Sequence, residues 1–282
     1  MTSAGGLRRR LAYFGTPTMA VEPLRALVAA GHDIAIVITR PDTRRGRGGE
    51  TSPSPVKAAA LELGLEVSHV VDDVLGRGVE LGVVVAYGQL IRPHVLAEVP
   101  MVNLHFSLLP RWRGAAPVER AILAGDTETG VCLMRLEEGL DTGPVLDTVR
   151  VPIGASTTAD ELRRDLVRVG SEMLVRDLAA DLPAAVAQHG EPTYAAKLTA
   201  DDLHIDWSSG ADRVVRVVRL GGAWTTFRGK RLKVLDAEVA AAPGHGVFEG
   251  VRMRRVQPEG KGPMAYDDWL RGVRPTVDER FE

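Results

Sequence analysis

Short, wholly apolar runs alternate with helically spaced segments through the first two-thirds of the chain, and this constrains the fold most. Leu11-Phe14 ends at Gly15, and Ile34-Thr39 is rich in β-branched residues. Between them, Met19-Ala30 carries apolar residues at helical spacing and stops at Gly31, a suitable C-terminal cap. Ser54-Pro55 predicts another helix start, a capping side chain followed by a first-turn proline, with Gly64 closing it. Leu81-Ala86 and, Asn103 and His105 apart, Met101-Phe106 are apolar runs, as in strands covered on both faces. Thr158 and Glu161 form a capping box ahead of Leu162, Leu166, Val169, Leu174 and Leu178. The alternation predicts an α/β fold with a mostly parallel sheet and helices on both faces.

After about residue 200 the texture changes. Val214-Val218, Trp224-Phe227, Arg231-Val239 and Val251-Val256 read as short β-type runs divided by glycine-bearing turns. They predict a small β-rich second domain, a compact barrel being one form, with the boundary in 195–207. A length of 282 residues leaves room for two domains. At 45% hydrophobic and 26% charged residues the chain is globular rather than disordered. The single cysteine, Cys132, excludes a disulfide framework and a multi-cysteine zinc site, fits a reducing cytoplasm, and reads as an inert core residue. The other histidines show no metal spacing, so no metal is expected. No run nears the roughly 18 apolar residues of a membrane span, and the N-terminus lacks the apolar core of a secretory signal.

The formal net charge of −2 hides an asymmetry. Residues 1–203 hold 21 basic and 26 acidic residues, whereas 213–261 hold 11 and 4, a net of +7. A basic end on a mildly acidic chain suits an anionic ligand, nucleic acid included, but equally a solvated face rich in arginine.

Chemistry concentrates in Met101-Gly143. Residues two apart on a strand share a face, so Asn103, His105 and Ser107 point one way and Val102, Leu104 and Phe106 the other. Polar groups at the C-terminal end of a buried strand lie where open α/β sheets bind ligands. A carboxamide and an imidazole can both donate to an oxyanion forming on a carbonyl carbon, and Asp141, in a glycine-flanked loop, would orient the ring. That set suits acyl transfer to an amine the substrate brings itself. A single strand histidine is more often structural; the pattern Asn-x-His-x-Ser-Leu-Leu-Pro with Gly-Leu-Asp-Thr-Gly is far more specific.

NLHFSLLPRWRGAAP and GLDTG resemble the signatures of the folate-dependent formyltransferases. AYFGTPTMA, TRPDTRRGRGGETSPSPVK, VVVAYGQLI, AGDTETGV, TYAAKLTADDLHIDW and VQPEGKGPM agree in the same order, so the resemblance spans nearly the whole chain. The PSPVK segment, RWRGAAP and a C-terminal domain point to the tRNA-directed branch rather than the glycinamide ribonucleotide branch.

The resemblance implies a Rossmann-like catalytic domain over 1–200 and an OB-like, shortened, β-rich tRNA-binding domain over 204–282. It implies transfer of a formyl group from N10-formyltetrahydrofolate to the α-amine of methionyl initiator tRNA, by a cytoplasmic, monomeric enzyme. Asn103, His105 and Asp141 match the catalytic trio. Ser107, Leu108, Leu109 and Pro110 match the folate-contacting turn, with Val85, Ala86, Tyr87 and Gly88 as another wall. The loop with Arg44, Arg45 and Arg47 matches the one that reaches the tRNA acceptor end, Arg47 at the key position.

Three departures stand out: Phe106 where glycine is common, Arg219-Trp224 in place of Asn-Pro-Trp-Pro, and a second domain of only 79 residues. A trimmed barrel would expose an edge, which Arg252, Arg254 and Arg255 are expected to charge while facing the tRNA backbone. Alternatives are a formyltransferase acting on an aminosugar nucleotide, and a folate- or RNA-binding module without catalysis.

Overall fold

The computed structural model describes residues 6–44, 51–242, 244, 246–276 and 278–282. The chain divides into two compact units: 1–117 with 128–152 and 163–195, and 118–127 with 153–162 and 196–282.

The first unit is built on a seven-stranded sheet. Its parallel strands are β1 (Arg10–Gly15), β2 (Asp33–Ile38), β3 (Val67–Ser68), β4 (Leu81–Val85) and β5 (Met101–His105). β6 (Glu128–Arg135) runs antiparallel to β5, and β7 (Val145–Pro152) antiparallel to β6. The order is β7-β6-β5-β4-β1-β2-β3. From β1 the chain steps outward to β2 and β3, then returns to pair β4 with the other side of β1. This reversal lies at the carboxyl ends of the strands, the place where open α/β sheets bind ligands.

The expected helix signals act as read. Ser54 accepts a hydrogen bond from the Lys57 amide at 3.0 Å and caps α2 (Pro55–Glu62), which follows α1 (Val21–Ala29). α3 (Pro93–Glu98) and α4 (Pro117–Ala124) are short. At the start of α5 (Ala159–Leu178) the capping box is reciprocal: the Glu161 amide donates to Thr158 Oγ1 at 3.3 Å, and the Thr158 amide to Glu161 Oε2 at 2.9 Å.

Both sheet faces are buried. Ala12, Phe14, Ile36, Ile38, Val84 and Met101 pack with Val95 of α3 on one side. On the other, Tyr13 donates to the Ala20 carbonyl at 2.6 Å, and burial pushes its phenol well above the ordinary range. α5 approaches that side through Gly170, where a Cβ would stand 3.1 Å from Leu104 and 3.2 Å from Val131. Asn103 and His105 share the α3 face, since Asn103 pairs across to Val84.

The second unit holds an antiparallel sheet of β8 (Trp224–Phe227), β9 (Lys230–Val239), β10 (Val247–Phe248), β11 (Val251–Pro258) and β12 (Met264–Ala265). The order is β8-β9-β11-β10, with β12 also on β11. Among the described residues β8 and β10 do not pair, so the strands do not close into a ring. The outer side of β8 is covered by the main chain of Glu282, which exchanges two bonds with Thr226, of 2.8 and 3.0 Å. Trp207, Phe227, Phe248, Trp269 and Phe281 form its aromatic core.

Two expectations fail here. Val214-Val218 is not a strand but lies inside α6 (Ala211–Arg219), ahead of α7 (Tyr266–Val273). Val214, Val217 and Val218 are buried at helical spacing, while Arg213 and Arg219 reach the carbonyls of Leu123, Thr157 and Gly154. Nor do Arg252, Arg254 and Arg255 charge an open edge: β11 is flanked by β9 on one side and by β10 and β12 on the other. Arg254 is ion-paired to Glu238, and Arg252 stands 4.0 Å from the same carboxylate.

Candidate active site

The parallel strands end together, which sets the place of the site. Val84 pairs with Asn103 and Val85 with Gly15, so the loops after β1, β4 and β5 leave the sheet side by side. Thr16 ties two of them together, its hydroxyl donating to the Tyr87 carbonyl at 3.0 Å.

Asn103 and His105 end β5, only 8% and 5% exposed. The Asp141 loop reaches them: Asn103 Nδ2 is 3.5 Å from Asp141 Oδ1, and His105 Nδ1 is 3.7 Å from Oδ2. The structure thus assembles the three residues expected to act together. The other ring nitrogen, Nε2, is 3.0 Å from the Trp112 carbonyl. A carbonyl only accepts, so Nε2 carries the hydrogen of that bond, and Nδ1 is the ring nitrogen turned toward Asp141. The Gly114 amide donates to Asp141 Oδ2 at 2.8 Å and fixes the carboxylate.

Asp141 sits at φ +50°, a left-handed conformation that costs a non-glycine residue about 1–3 kcal/mol and persists only where the surroundings dictate it. Gly143 fits beside it because a Cβ there would stand 1.9 Å from the Arg135 carbonyl.

The two expected folate walls leave the carboxyl ends of the adjacent strands β4 and β5. In one, Val85 and Tyr87 turn inward, with the Tyr87 ring edge-on to Phe14 at 5.7 Å. Burial raises the Tyr87 phenol above its ordinary range. Ala86 and Gly88 take positive φ values of 47° and 76°, bending the backbone outward. In the other, Ser107 is buried and donates to the Arg111 carbonyl at 2.5 Å, closing the turn rather than facing out. Leu108, Leu109 and Pro110 are half-buried. Phe106, the bulky departure, is absorbed in the interior at 4% exposure.

Of the arginine loop, Arg44 ends a two-residue strand paired with Thr51–Ser52. Arg45 and Arg47 lie outside the described residues. Cys132 is buried on β6, its thiol pushed up by burial. Among the described residues no cluster of His, Cys, Asp or Glu is arranged to hold a metal, and no helix is long and apolar enough to cross a membrane.

Sequence reasoning missed Trp112, Arg113, Gln188 and Thr193. Gln188 Nε2 donates to the carbonyls of Asp141 and Gly143, both at 2.8 Å. Its Oε1 accepts from Arg113 Nε and Nη2 at 3.1 and 2.6 Å. Thr193 Oγ1 accepts from the Trp112 amide at 2.9 Å. The one signal for Gln188 was a polar side chain in an aperiodic stretch between Pro183 and Gly190.

Residues 9–178 match the Formyl transferase family and residues 197–274 the Formyl transferase C-terminal domain. A methionyl-tRNA formyltransferase of Symbiobacterium thermophilum is 40% identical, over 96% of this chain and 95% of its own length. One of Clavibacter sepedonicus is 42% identical, over 94% and 97%. Among solved structures, an N-formyltransferase of Helicobacter canadensis in complex with folinic acid and dTDP-3-aminofucose superposes with a TM-score of 0.68. It is 16% identical, over 91% of this chain and 98% of that one, a likeness of fold.

Proposed function

The chain belongs to the formyltransferase family, and from that premise we propose that it formylates the α-amine of methionyl initiator tRNA, with N10-formyltetrahydrofolate as donor. The observation that carries the reading is the meeting of Asn103, His105 and Asp141 at the carboxyl edge of the sheet. The relatives matched at about 40% identity over nearly their whole length are named for this reaction. In this reading 1–200 is the catalytic domain, 204–282 the tRNA-binding domain, and the work is done in the cytoplasm.

The residues present fit a reduced folate. Half-buried Leu108, Leu109 and Pro110 offer apolar surface for a flat ring. Polar contacts would come from the backbone at Ala86 and Gly88, where φ is positive and a Cβ on Gly88 would meet nothing within 4 Å. When bound, the donor supplies an electrophilic formyl carbon.

The chain's own groups then have distinct tasks. Asn103 Nδ2 presents an N–H to the formyl oxygen as negative charge builds there, a contribution that grows in a buried site. His105 has its Nε2–H committed to Trp112, so the ring works through Nδ1. Nδ1 takes up the proton that the attacking amine loses and returns it to N10 as the bond between the formyl carbon and N10 breaks, so that tetrahydrofolate leaves. Asp141 holds that edge of the ring and faces the charge it gains. Burial of the pair beside the half-buried turn keeps water from competing with the amine.

The test offers the purified protein N10-formyltetrahydrofolate with charged initiator tRNA, charged elongator methionyl-tRNA and a dTDP-linked aminosugar, each alone. Formylation of initiator methionyl-tRNA is expected. Turnover of the aminosugar alone would overturn the reading.

A further inference from the structure

We propose that the segment 186–195 is a positioning strap that sets both halves of the catalytic pair, with Gln188 and Thr193 as its positioning residues. The inference rests on the functional reading above. Its register is fixed at both ends. Val186 and Val145 exchange two main-chain bonds of 2.8 Å as an antiparallel bridge, which carries Gln188 to a place opposite Gly143. At the other end Tyr194 and Ala195 pair in parallel with Arg113 and Gly114. The strap therefore runs from the loop that bears Asp141 to the segment whose backbone holds His105 and Asp141.

Each end acts on a different member of the pair. Gln188 spends both amide hydrogens on the carbonyls of Asp141 and Gly143, pinning the residue at φ +50° and the chain just after it. Its oxygen accepts two bonds from Arg113, so the amide is fully satisfied and cannot rotate without breaking four bonds. Thr193 binds the Trp112 amide through its hydroxyl and the Arg113 amide through its carbonyl, at 2.9 and 2.8 Å. Trp112 in turn supplies the carbonyl that fixes the His105 ring, and Gly114 the amide that fixes the Asp141 carboxylate. Neither Gln188 nor Thr193 hydrogen-bonds to Asn103, His105 or the Asp141 carboxylate directly. Their effect is on where Nδ1 and the carboxylate stand, and misplacement by about 1 Å is enough to cost about a hundredfold in rate.

The test compares the whole protein with Gln188→Met, which keeps the bulk and removes all four bonds, with Arg113→Ala, and with the double variant. Gln188→Met is expected to lower kcat about 10- to 100-fold while the KM for N10-formyltetrahydrofolate stays within about twofold. The double variant should be no slower than the worse single one, since both changes cut one relay. Hydrogen exchange of the Gly114, Arg135 and Val145 amides, which are bonded to the Asp141 loop, its flank and the strap, gives a readout independent of turnover and should accelerate in Gln188→Met with the melting temperature retained. Unchanged exchange there, additive losses in the double variant, or a rise in KM that accounts for the whole loss would overturn the strap. A wild-type protein that formylates no methionyl-tRNA would overturn the functional reading instead, leaving the exchange result to decide the strap.

Discussion

His105 has one ring nitrogen tied to the main chain, and its contribution follows from that. With Nε2–H held by the Trp112 carbonyl at 3.0 Å, Nδ1 is the nitrogen turned toward Asp141 and the one left for proton transfer. Removing the ring leaves Asn103 as the remaining donor and no group to take the proton. His105→Ala is therefore expected to lower turnover about 100- to 1000-fold, the scale of losing one charge-stabilising donor. Donor binding, measured by fluorescence titration with folate, should be retained, because the proposed folate walls are 85–88 and 107–110. A loss of folate binding that matches the loss of turnover would refute this division of labour. Asn103 and His105 were legible as a pair because period-two alternation on a buried strand fixes which side chains share a face, whereas Asp141 was legible only through the Gly-Leu-Asp-Thr-Gly signature. Gln188 was not, because its role comes from crossing two loops distant in sequence, and no local period marks such a crossing.

Elements that obey local rules were readable, and one that sets two rules against each other was not. The capping box at Thr158 joins side chain to backbone in both directions, a contact encoded within four residues. Thr158→Ala should destabilise the folded protein by about 1 kcal/mol, read as a lowered urea midpoint with unchanged slope. A shift in slope instead would mean that the helix start unfolds apart from the rest. α6 shows the conflict. Its five-residue stretch Val214-Val218 is four-fifths valine, and β-branched side chains favour strands. Yet its buried valines fall at steps of three and one, and the flanking Arg213 and Arg219 reach the carbonyls of Leu123, Thr157 and Gly154. Burial of a helical stripe outweighs a propensity spread of under about 1 kcal/mol per residue. The edge predicted for β11 failed for a related reason. A count of strands shows how many there are, but long-range pairing decides which one lies at the rim.

At the scale of the whole molecule, charge acts through stability and through binding. Within the second unit, Arg120 hydrogen-bonds both carboxylate oxygens of Asp202, at 2.7 and 3.1 Å, and the Thr199 amide adds a third bond. The Arg120 guanidinium first, and Thr199 after it, hold this carboxyl at about 2 instead of 3.8. A lowered folded value stabilises above the ordinary one, and the benefit is lost as pH falls through the folded value. The melting-temperature gap between wild type and Asp202→Asn should be full near neutral pH and close as pH falls from about 4 to about 2. A gap independent of pH would show that the carboxylate's charge contributes nothing.

Binding to tRNA depends on cations that the protein itself does not neutralise. The net of +7 in 213–261 is not all free charge, because Arg228 is paired with Glu279 from outside that stretch, and Glu238, already counted in the net, serves Arg254 and stands 4.0 Å from Arg252. Releasing Arg254 to a phosphate breaks that pair, so its replacement should alter the salt dependence of tRNA binding little. Arg47 lies between two glycines in a stretch, Arg44-Gly49, whose only charged residues are arginines. If it meets a phosphate, binding releases a counterion, and each such contact contributes about 0.7 to 0.9 to the slope of log affinity against log salt. Arg47→Ala is accordingly expected to lower affinity for methionyl-tRNA and to flatten that slope by about this amount, while Arg254→Ala flattens it less. Filter binding of both variants across a salt series measures the two slopes side by side. Equal flattening would place the grip on the β11 face, and an unchanged slope for Arg47→Ala would remove phosphate contact from that loop.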